Sequence, residues 1–271
     1  MSGTTKQVRR LRDQIHDVRE SILDAVVRMD EIKLWQIPRI QANYALKLGG
    51  LEQELLEAEV SCRRSERRLA LAQAQASQGF VPQMERIERE LDAEFADWTS
   101  KVIQARKDCE RALAFPDASP TLTSAKAAKL RDLYRRLAKR LHPGICGGEN
   151  GERAALFLLA QTAYQNGAAD ALRSLEAATR HLDLGDKDLE TNANAEDLAQ
   201  EYELALIEDG AVREQLQELE ECDEMRLGRL LCDPDWVRAR TTELRRSIEA
   251  RHRTQSDCEA KLRSLLDGPA E

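Results

Sequence analysis

Apolar residues recur every three or four positions along most of this chain, which is the spacing that places them on one side of an α-helix. The first series lies in residues 5–36 and consists of Val8, Leu11, Ile15, Val18, Ile22, Ala25, Met29 and Ile32. Charged residues such as Arg19, Glu20 and Asp30 take up the remaining positions, and we expect them to face solvent. The pattern predicts one helix that packs along another through a narrow apolar seam.

A second seam extends from Tyr44 to Ala76. Pro38 separates it from the first, and a kink or a break is expected there because proline lacks an N–H group and clashes with the preceding turn. Inside the second seam, the adjacent Gly49 and Gly50 lower helix propensity, which favours local bending or the close approach of another helix.

A third helix is predicted at about 83–114. Gly79 is suited to the C-cap of the preceding helix, and Pro82 is suited to the first turn of the next one. Because the connection between them is short, the two helices should pair antiparallel. Residues 1–115 are therefore predicted to form an N-terminal coiled-coil arm.

The last part of the chain has the same character. Residues 183–194 form a polar linker, and a helical pattern resumes at about 195 and continues to Leu231. Asp233 suits a helix N-cap and Pro234 suits a first turn, so a new helix should begin there. The prediction for residues 195–271 is a second antiparallel helical hairpin.

Composition supports long helices over one thick globule. Of the 271 residues, 33% are charged, 42% are hydrophobic and only 4% are aromatic, a balance that is typical of helices with narrow apolar seams. The predicted fold class is all-α and elongated, with antiparallel coiled-coil-like hairpins on either side of a small helical hairpin in residues 116–182. Seams of this length are also compatible with a homodimer, and the sequence does not say whether they pair within one chain or between two.

The charge and the hydropathy of the chain limit its partners. A net charge of -8 argues against nucleic acid as the main partner, although a local basic patch could still bind it. The longest apolar run is far shorter than the roughly 20 residues that a transmembrane helix needs, and the first residues lead directly into a charged helix. We expect a soluble cytoplasmic protein without a membrane contact.

The sequence contains no motif that indicates a catalytic site. The six cysteines include no Cys-x-x-Cys pair, and we expect reduced thiols that act mainly as small apolar side chains. His142 and Cys146 are two ligands, which do not make a metal site. There is no nucleophile motif and no phosphate-binding loop. The prediction is a protein that is not an enzyme and has neither a metal nor another cofactor.

The central segment, residues 122–180, departs from the heptad pattern. Residues 126–141 predict a helix with leucines on one side and a cationic opposite face, since seven basic residues stand against one acidic residue, a net of +6. A loop rich in glycine follows, then a helix at about 152–165 that Gly167 ends, and then a short helix around Leu172 and Leu175.

Two stretches of this segment carry a motif. The first consists of Tyr134, Arg135, Arg136, Leu137, Ala138, Leu141, His142, Pro143 and Gly144, and the second of Phe157, Ala163 and Tyr164. In this order, on two helices joined by a His-Pro loop, they resemble the second helix, loop and third helix of the J-domain of DnaJ-type co-chaperones. The resemblance covers about 55 residues. It implies a J-like core of Leu133, Tyr134, Leu137, Leu141, Phe157, Ala160, Ala163 and Tyr164.

The resemblance also implies a function. In that family the basic helix docks on an acidic face of a DnaK-type chaperone, and a His-Pro-Asp loop triggers ATP hydrolysis there. The implied partner-binding residues are Arg135, Arg136, Lys139, Arg140, His142, Pro143 and Gly144. Attraction between a cationic helix and an acidic surface would speed their encounter and weaken with salt.

Two departures from the family weaken this expectation. Gly144 stands where the family has aspartate, and losing one partner of a desolvated charged contact costs ~2–5 kcal/mol, so ATPase stimulation should be weak or absent. The family's first helix is not recognisable before Lys126. The apolar face that it would cover is expected to pack against the N-terminal arm or the C-terminal hairpin.

Three functions remain open from the sequence. The first is a DnaJ-like co-chaperone or adaptor that binds a client or partner through its helical arms. The second is a structural coiled-coil scaffold that uses the J-like module for protein interaction, and the third, less favoured, is nucleic-acid binding through the same helix. The first requires a free cationic face: if internal carboxylates engage Arg135, Arg136, Lys139 and Arg140, that docking surface is lost.

Overall fold

The computed structural model describes residues 3–114, 124–142, 151–182 and 194–267, and in these ranges every regular element is a helix. The all-α prediction is therefore confirmed. Over the same part of the chain, no helix combines the length and the apolar character needed to cross a membrane.

The α-helices follow one another in chain order, and two five-residue π-helical segments, Ile32–Gln36 and Ala45–Gly49, lie between the first three. The α-helices are α1 (Gly3–Glu31), α2 (Ile37–Tyr44), α3 (Gly50–Ser77), α4 (Met84–Glu94), α5 (Ala96–Leu113), α6 (Ser124–Leu141), α7 (Gly151–Gln165), α8 (Ala169–Ala178), α9 (Ala195–Glu220), α10 (Asp223–Leu231) and α11 (Pro234–Asp267).

The sequence predicted a kink or a break at Pro38, but the chain stays helical through this residue. It is the second residue of α2 and directly follows the π-helical segment Ile32–Gln36, so the helix runs on through a position that donates no backbone hydrogen bond. The N–H of Ile37 donates to the carbonyl of Ile32. A hydrogen bond between residues five positions apart is that of a π-helix. The expected break is a change in helix type.

The glycine pair behaves as expected. Gly49 ends the second π-helical segment, and a Cβ atom there would lie 2.9 Å from Sγ of Cys109 on α5. Glycine therefore permits a close approach between this turn and α5 that a larger residue would prevent.

The end of α3 is also as expected, but Pro82 is not part of the first turn of the next helix. Gly79 has a φ of 82°, and its N–H donates to the carbonyl of Ala76 at 2.9 Å. The next helix starts at Met84, so Pro82 lies outside its first turn. The predicted helix 83–114 is two helices, because the backbone at Phe95 leaves the helical range while its ring stays in the core. A change in backbone angles that preserves the seam leaves no trace in the apolar pattern.

The contacts divide the chain into two compact units, and the division differs from the boundaries drawn on the sequence. The first unit joins Met1–Arg39 to Pro116–Arg226, and the second joins Ile40–Phe115 to Leu227–Glu271. Each unit thus combines a part of the predicted N-terminal arm with a part of the predicted C-terminal hairpin.

The long seams pair in parallel. In the first unit Arg19 pairs with Glu201 and Arg28 with Glu220, so α1 and α9 run in the same direction. In the second unit Arg240 pairs with Glu52, and Arg251 with Glu59, so α3 and α11 are parallel as well. The sequence predicted an antiparallel hairpin for residues 195–271; in the structure α9 packs along α1 within the first unit, and α11 packs along α3 within the second. An apolar seam does not specify the direction of its partner.

One predicted antiparallel pair is present. In the second unit Arg64 contacts Glu88 and Asp92, and Arg68 contacts Glu88 at 2.5 Å, so α3 and α4 run in opposite directions. Ala72, Ile87, Leu91 and Phe95 form the buried cluster between them.

Candidate protein-docking site

The J-like segment has the helices that the sequence predicts. The ranges 126–141 and 152–165 correspond to α6 and α7, and α8 follows them. Gly167 has a φ of 63° and ends α7, with the Ala168 N–H donating to the carbonyl of Ala163 at 2.9 Å. Left-handed backbone at this position favours glycine. The three helices lie in the first unit.

The core of this segment is formed by the residues that carry the resemblance. Leu133, Tyr134, Leu137, Leu141, Phe157, Ala160 and Tyr164 are all buried, and Ala163 is partly buried against them. The rings of Tyr134 and Tyr164 stack with centroids 4.3 Å apart, and Trp35 meets Tyr164 edge to face at 6.0 Å. Such pairs stabilise a core beyond the area they bury.

Helix α1 covers the apolar face of this segment. Leu23 and Val27 of α1 belong to the same buried cluster as the α6 and α7 residues, and Leu34 packs against it. A neighbouring side of α1, with Ile22, Val26 and Met29, packs against α9. The apolar face of α6 and α7 is therefore covered by the N-terminal helix, which was one of the two expectations.

Asp30 is a buried charged residue that the sequence did not reveal. We expected it to face solvent, but its side chain is buried, and its carboxylate accepts hydrogen bonds from the Tyr134 hydroxyl at 2.5 Å and from Nε2 of Gln161 at 3.3 Å. Burial and the adjacent carboxylate raise the pKa of Tyr134. The phenol thus stays protonated and donates to Asp30, which joins α1 to both α6 and α7. Asp30 follows the seam residue Met29 directly, and sequence spacing does not separate a seam edge from a solvent position.

The cationic face of α6 is engaged on its α1 side. Arg135 lies 2.6 Å from Glu20 and 2.9 Å from Asp24, Lys139 lies 2.6 Å from Glu20, and Arg131 pairs with Glu31 at 2.5 Å. The hydrogen bond from Lys139 is the main cause of a lowered pKa of Glu20.

The other side of the same face is engaged by α8 and the turn after it. Arg136 pairs with Glu176 at 2.5 Å. Arg140 donates to the backbone carbonyl of Glu176 and to the hydroxyl of Thr179, each at 3.1 Å. All four basic residues of the predicted docking surface thus have partners inside the first unit. The side chains of Arg136 and Lys139 remain 52% and 57% exposed, so these contacts are surface ion pairs.

The remaining predicted site residues are His142, Pro143 and Gly144. The His142 ring meets Phe157 edge to face at 4.9 Å, and its burial lowers the pKa of the imidazole while Asp30 acts in the opposite direction. Pro143 and Gly144 lie outside the described residues.

The described residues hold no group of three or more side chains that could bind a metal ion. Cys62 and Cys258 are buried, and burial raises the pKa of the Cys62 thiol. Both therefore serve as small apolar residues in their seams.

Comparisons of the whole chain with protein-family models, curated proteins and solved structures found no match. The resemblance to a J-domain therefore stays a prediction from the motif residues.

Proposed function

We propose that this protein is a helical scaffold that binds other proteins and in which the J-like segment is a structural module joined to the helical body. The observation that carries the proposal is the position of α1. Its carboxylates Glu20, Asp24 and Glu31 pair with the basic side of α6, and its apolar residues fill the face of the J-like core.

The internal ion pairs reduce the binding energy that the basic side chains of α6 can contribute to a complex with a chaperone. A docking partner would have to replace contacts that Arg135 and Lys139 already make with Glu20. In a folded protein such a replacement exchanges one carboxylate for another, so the gain in binding energy is small. Gly144 supplies no carboxylate of its own to the loop.

The DnaJ-like co-chaperone stays as a second proposal because one observation favours it. Arg136 and Lys139 are about half exposed, and exposed ion pairs contribute only ~0–1 kcal/mol each, so they can exchange partners at low cost. In this proposal an acidic chaperone surface would compete with Glu20 and Glu176 for the same side chains, and the helical arms would bind a client.

ATPase measurements with a DnaK-type chaperone separate the two proposals. The scaffold predicts no stimulation by the unaltered protein and none by Gly144→Asp. Stimulation by the unaltered protein would contradict it and support the co-chaperone. Stimulation by Gly144→Asp alone would indicate a docking face that is intact and a loop that is not, which also contradicts the scaffold.

Capture from native lysate gives the second test. The scaffold predicts partners whose recovery is independent of added ATP and unchanged by Arg136→Ala with Lys139→Ala. Recovery of a DnaK-type chaperone that depends on ATP and is lost in this variant would overturn it. Nucleic-acid binding, the third function left open by the sequence, predicts recovery of nucleic acid with an affinity that falls steeply with salt.

A further inference from the structure

Helix α9 has a second apolar face that no described residue covers. Leu198 and Ala205 are buried on its inner side, and Val212, Leu216 and Leu219 pack there against α1. On the opposite side Leu204 is 67% exposed and Ile207 is 70% exposed. A helix in a globular protein ordinarily exposes polar residues on the face away from the core.

The exposed apolar residues have the spacing of a helix-packing seam. Leu204, Ile207 and Ala211 are three and four positions apart and all three are exposed, and the same spacing reaches Gln200 on one side and Glu214 on the other. Apolar residues at intervals of three and four form a stripe along one side of a helix. The stripe is about two turns long, and that length suits contact with a single partner helix.

The stripe is bordered by carboxylates that form no ion pair with any residue that the structure describes. Residues 195–220 contain nine acidic residues and one basic residue, a net of -8. The carboxylates on the inner side are engaged: Glu201 pairs with Arg19 and Glu220 with Arg28. Those that border the stripe, Glu203, Glu208 and Glu214, are exposed and make no ion pair with any residue in the described ranges.

We propose that the outward face of α9 is a docking surface for a basic amphipathic helix of a partner protein. The apolar side of that helix would cover Leu204 and Ile207, and its lysine or arginine residues would pair with the carboxylates along the border. Charge complementarity selects this occupant: a second copy of α9 would bring its own carboxylates against Glu203, Glu208 and Glu214, and like charges at such positions oppose pairing. The proposal deepens the scaffold function by giving it a partner of defined chemistry.

The test uses the full chain and synthetic peptides. The probe is a fluorescent helical peptide of about 21 residues with leucine at the a and d positions of its heptads and lysine at the flanking positions. The control peptide has the same leucines and glutamate in place of lysine. We expect the basic peptide to bind with a micromolar dissociation constant, measured by fluorescence anisotropy, and the acidic peptide not to bind.

Variants of the chain separate docking on the stripe from general attraction between opposite charges. Leu204→Ser with Ile207→Ser keeps every charge and is expected to weaken binding at least tenfold, since the few residues at the centre of an interface carry most of its affinity and these two supply most of the stripe's apolar area. Leu158→Ser with Leu159→Ser, which changes two similarly exposed leucines on α7, is the matched control and should change the affinity by less than twofold. Thermal unfolding, monitored by circular dichroism, checks that each variant is folded.

Three results would overturn the proposal. One is no binding of the basic peptide; another is binding that the Leu204 and Ile207 substitutions leave unchanged. The third is a dimer in light scattering that these same substitutions dissociate, because it would make a second copy of the chain the occupant. None of the three involves a chaperone, so a failure here is distinguishable from a failure of the scaffold proposal, which the ATPase measurements decide.

Discussion

Helices α6 and α9 are both strongly charged and both pack against α1, but their charges are used differently. The range 126–141 carries a net of +6, and its predicted docking residues are paired with α1 or with the α8 region. Helix α9 carries a net of -8, and the carboxylates beside its exposed leucine and isoleucine have no partner in the described ranges. The charge of α6 is thus neutralised inside the first unit, whereas α9 combines carboxylates that are unpaired among the described residues with exposed apolar area. The docking proposal rests on that difference.

The same truncation on the two helices should give the largest contrast. Leu137→Ala on α6 removes a fully buried side chain from the J-like core, and we expect it to lower the free energy of unfolding by ~2–5 kcal/mol. Leu204→Ala on α9 removes a side chain that is mostly in solvent and should change that free energy by less than ~0.5 kcal/mol. Denaturant unfolding of both variants measures the difference. Equal losses would show that Leu204 is also part of a core, and the comparison would fail.

Removing one hydroxyl group should give the next largest effect. Tyr134→Phe takes the hydrogen-bond donor from the buried Asp30 carboxylate, and we expect a loss of ~1–3 kcal/mol because a buried charged acceptor is left with an unsatisfied oxygen. Tyr202→Phe on α9, where the ring is only partly buried, is the matched control and should be nearly neutral. If Tyr134→Phe is equally neutral, Asp30 does not join the J-like core to α1 in the way described.

The ion pairs across α1 and α6 should give the smallest effect. Glu20→Gln removes the carboxylate shared by Arg135 and Lys139, with an expected loss below ~1 kcal/mol at neutral pH because the basic partners are partly exposed. Glu203→Gln on α9, an exposed carboxylate without an ion pair to a described residue, should leave stability at neutral pH unchanged.

The pH dependence of the Glu20 effect has a definite sign. The pKa of Glu20 is lowered from 4.5 in the folded protein, so its contribution is present above the unfolded pKa and is lost as the pH falls through the folded one. The difference in stability between the unaltered protein and Glu20→Gln should therefore shrink as the pH drops below about 4.5. A difference that grows on acidification would contradict the assigned ion pairs.

The sequence predicts helices well because a helix is specified by its own residues. The seams, the C-cap at Gly79 and the end of α7 at Gly167 are local features, and the structure has them. The pairing of the seams is not local. Arg19 and Glu201 are 182 positions apart, and an apolar seam is compatible with many partners in either direction, so the parallel pairing of α1 with α9 was not predicted.

The candidate docking site illustrates the same limit. The spacing of the basic residues along α6 identified them as one face of the helix, opposite its buried leucines. Whether they are free depends on Glu20, Asp24 and Glu176, which lie on other helices and face α6 only in the folded unit. The outward stripe on α9 was missed because the sequence alone does not show which apolar residues of this helix are buried. Leu204 and Ile207 are distinguished from seam residues only by their exposure in the structure.

Hydrogen–deuterium exchange of α6 in Leu23→Ala tests the central claim most directly. Leu23 is a buried α1 residue in the J-like core, and its truncation should weaken the protection of α6 and α7 amides together with that of α1, because the three helices share one cooperative core. The account predicts equal losses of protection in all three helices. Protection of α6 and α7 that stays unchanged while α1 exchanges faster would show a J-like hairpin that is stable by itself, and that result would contradict the account.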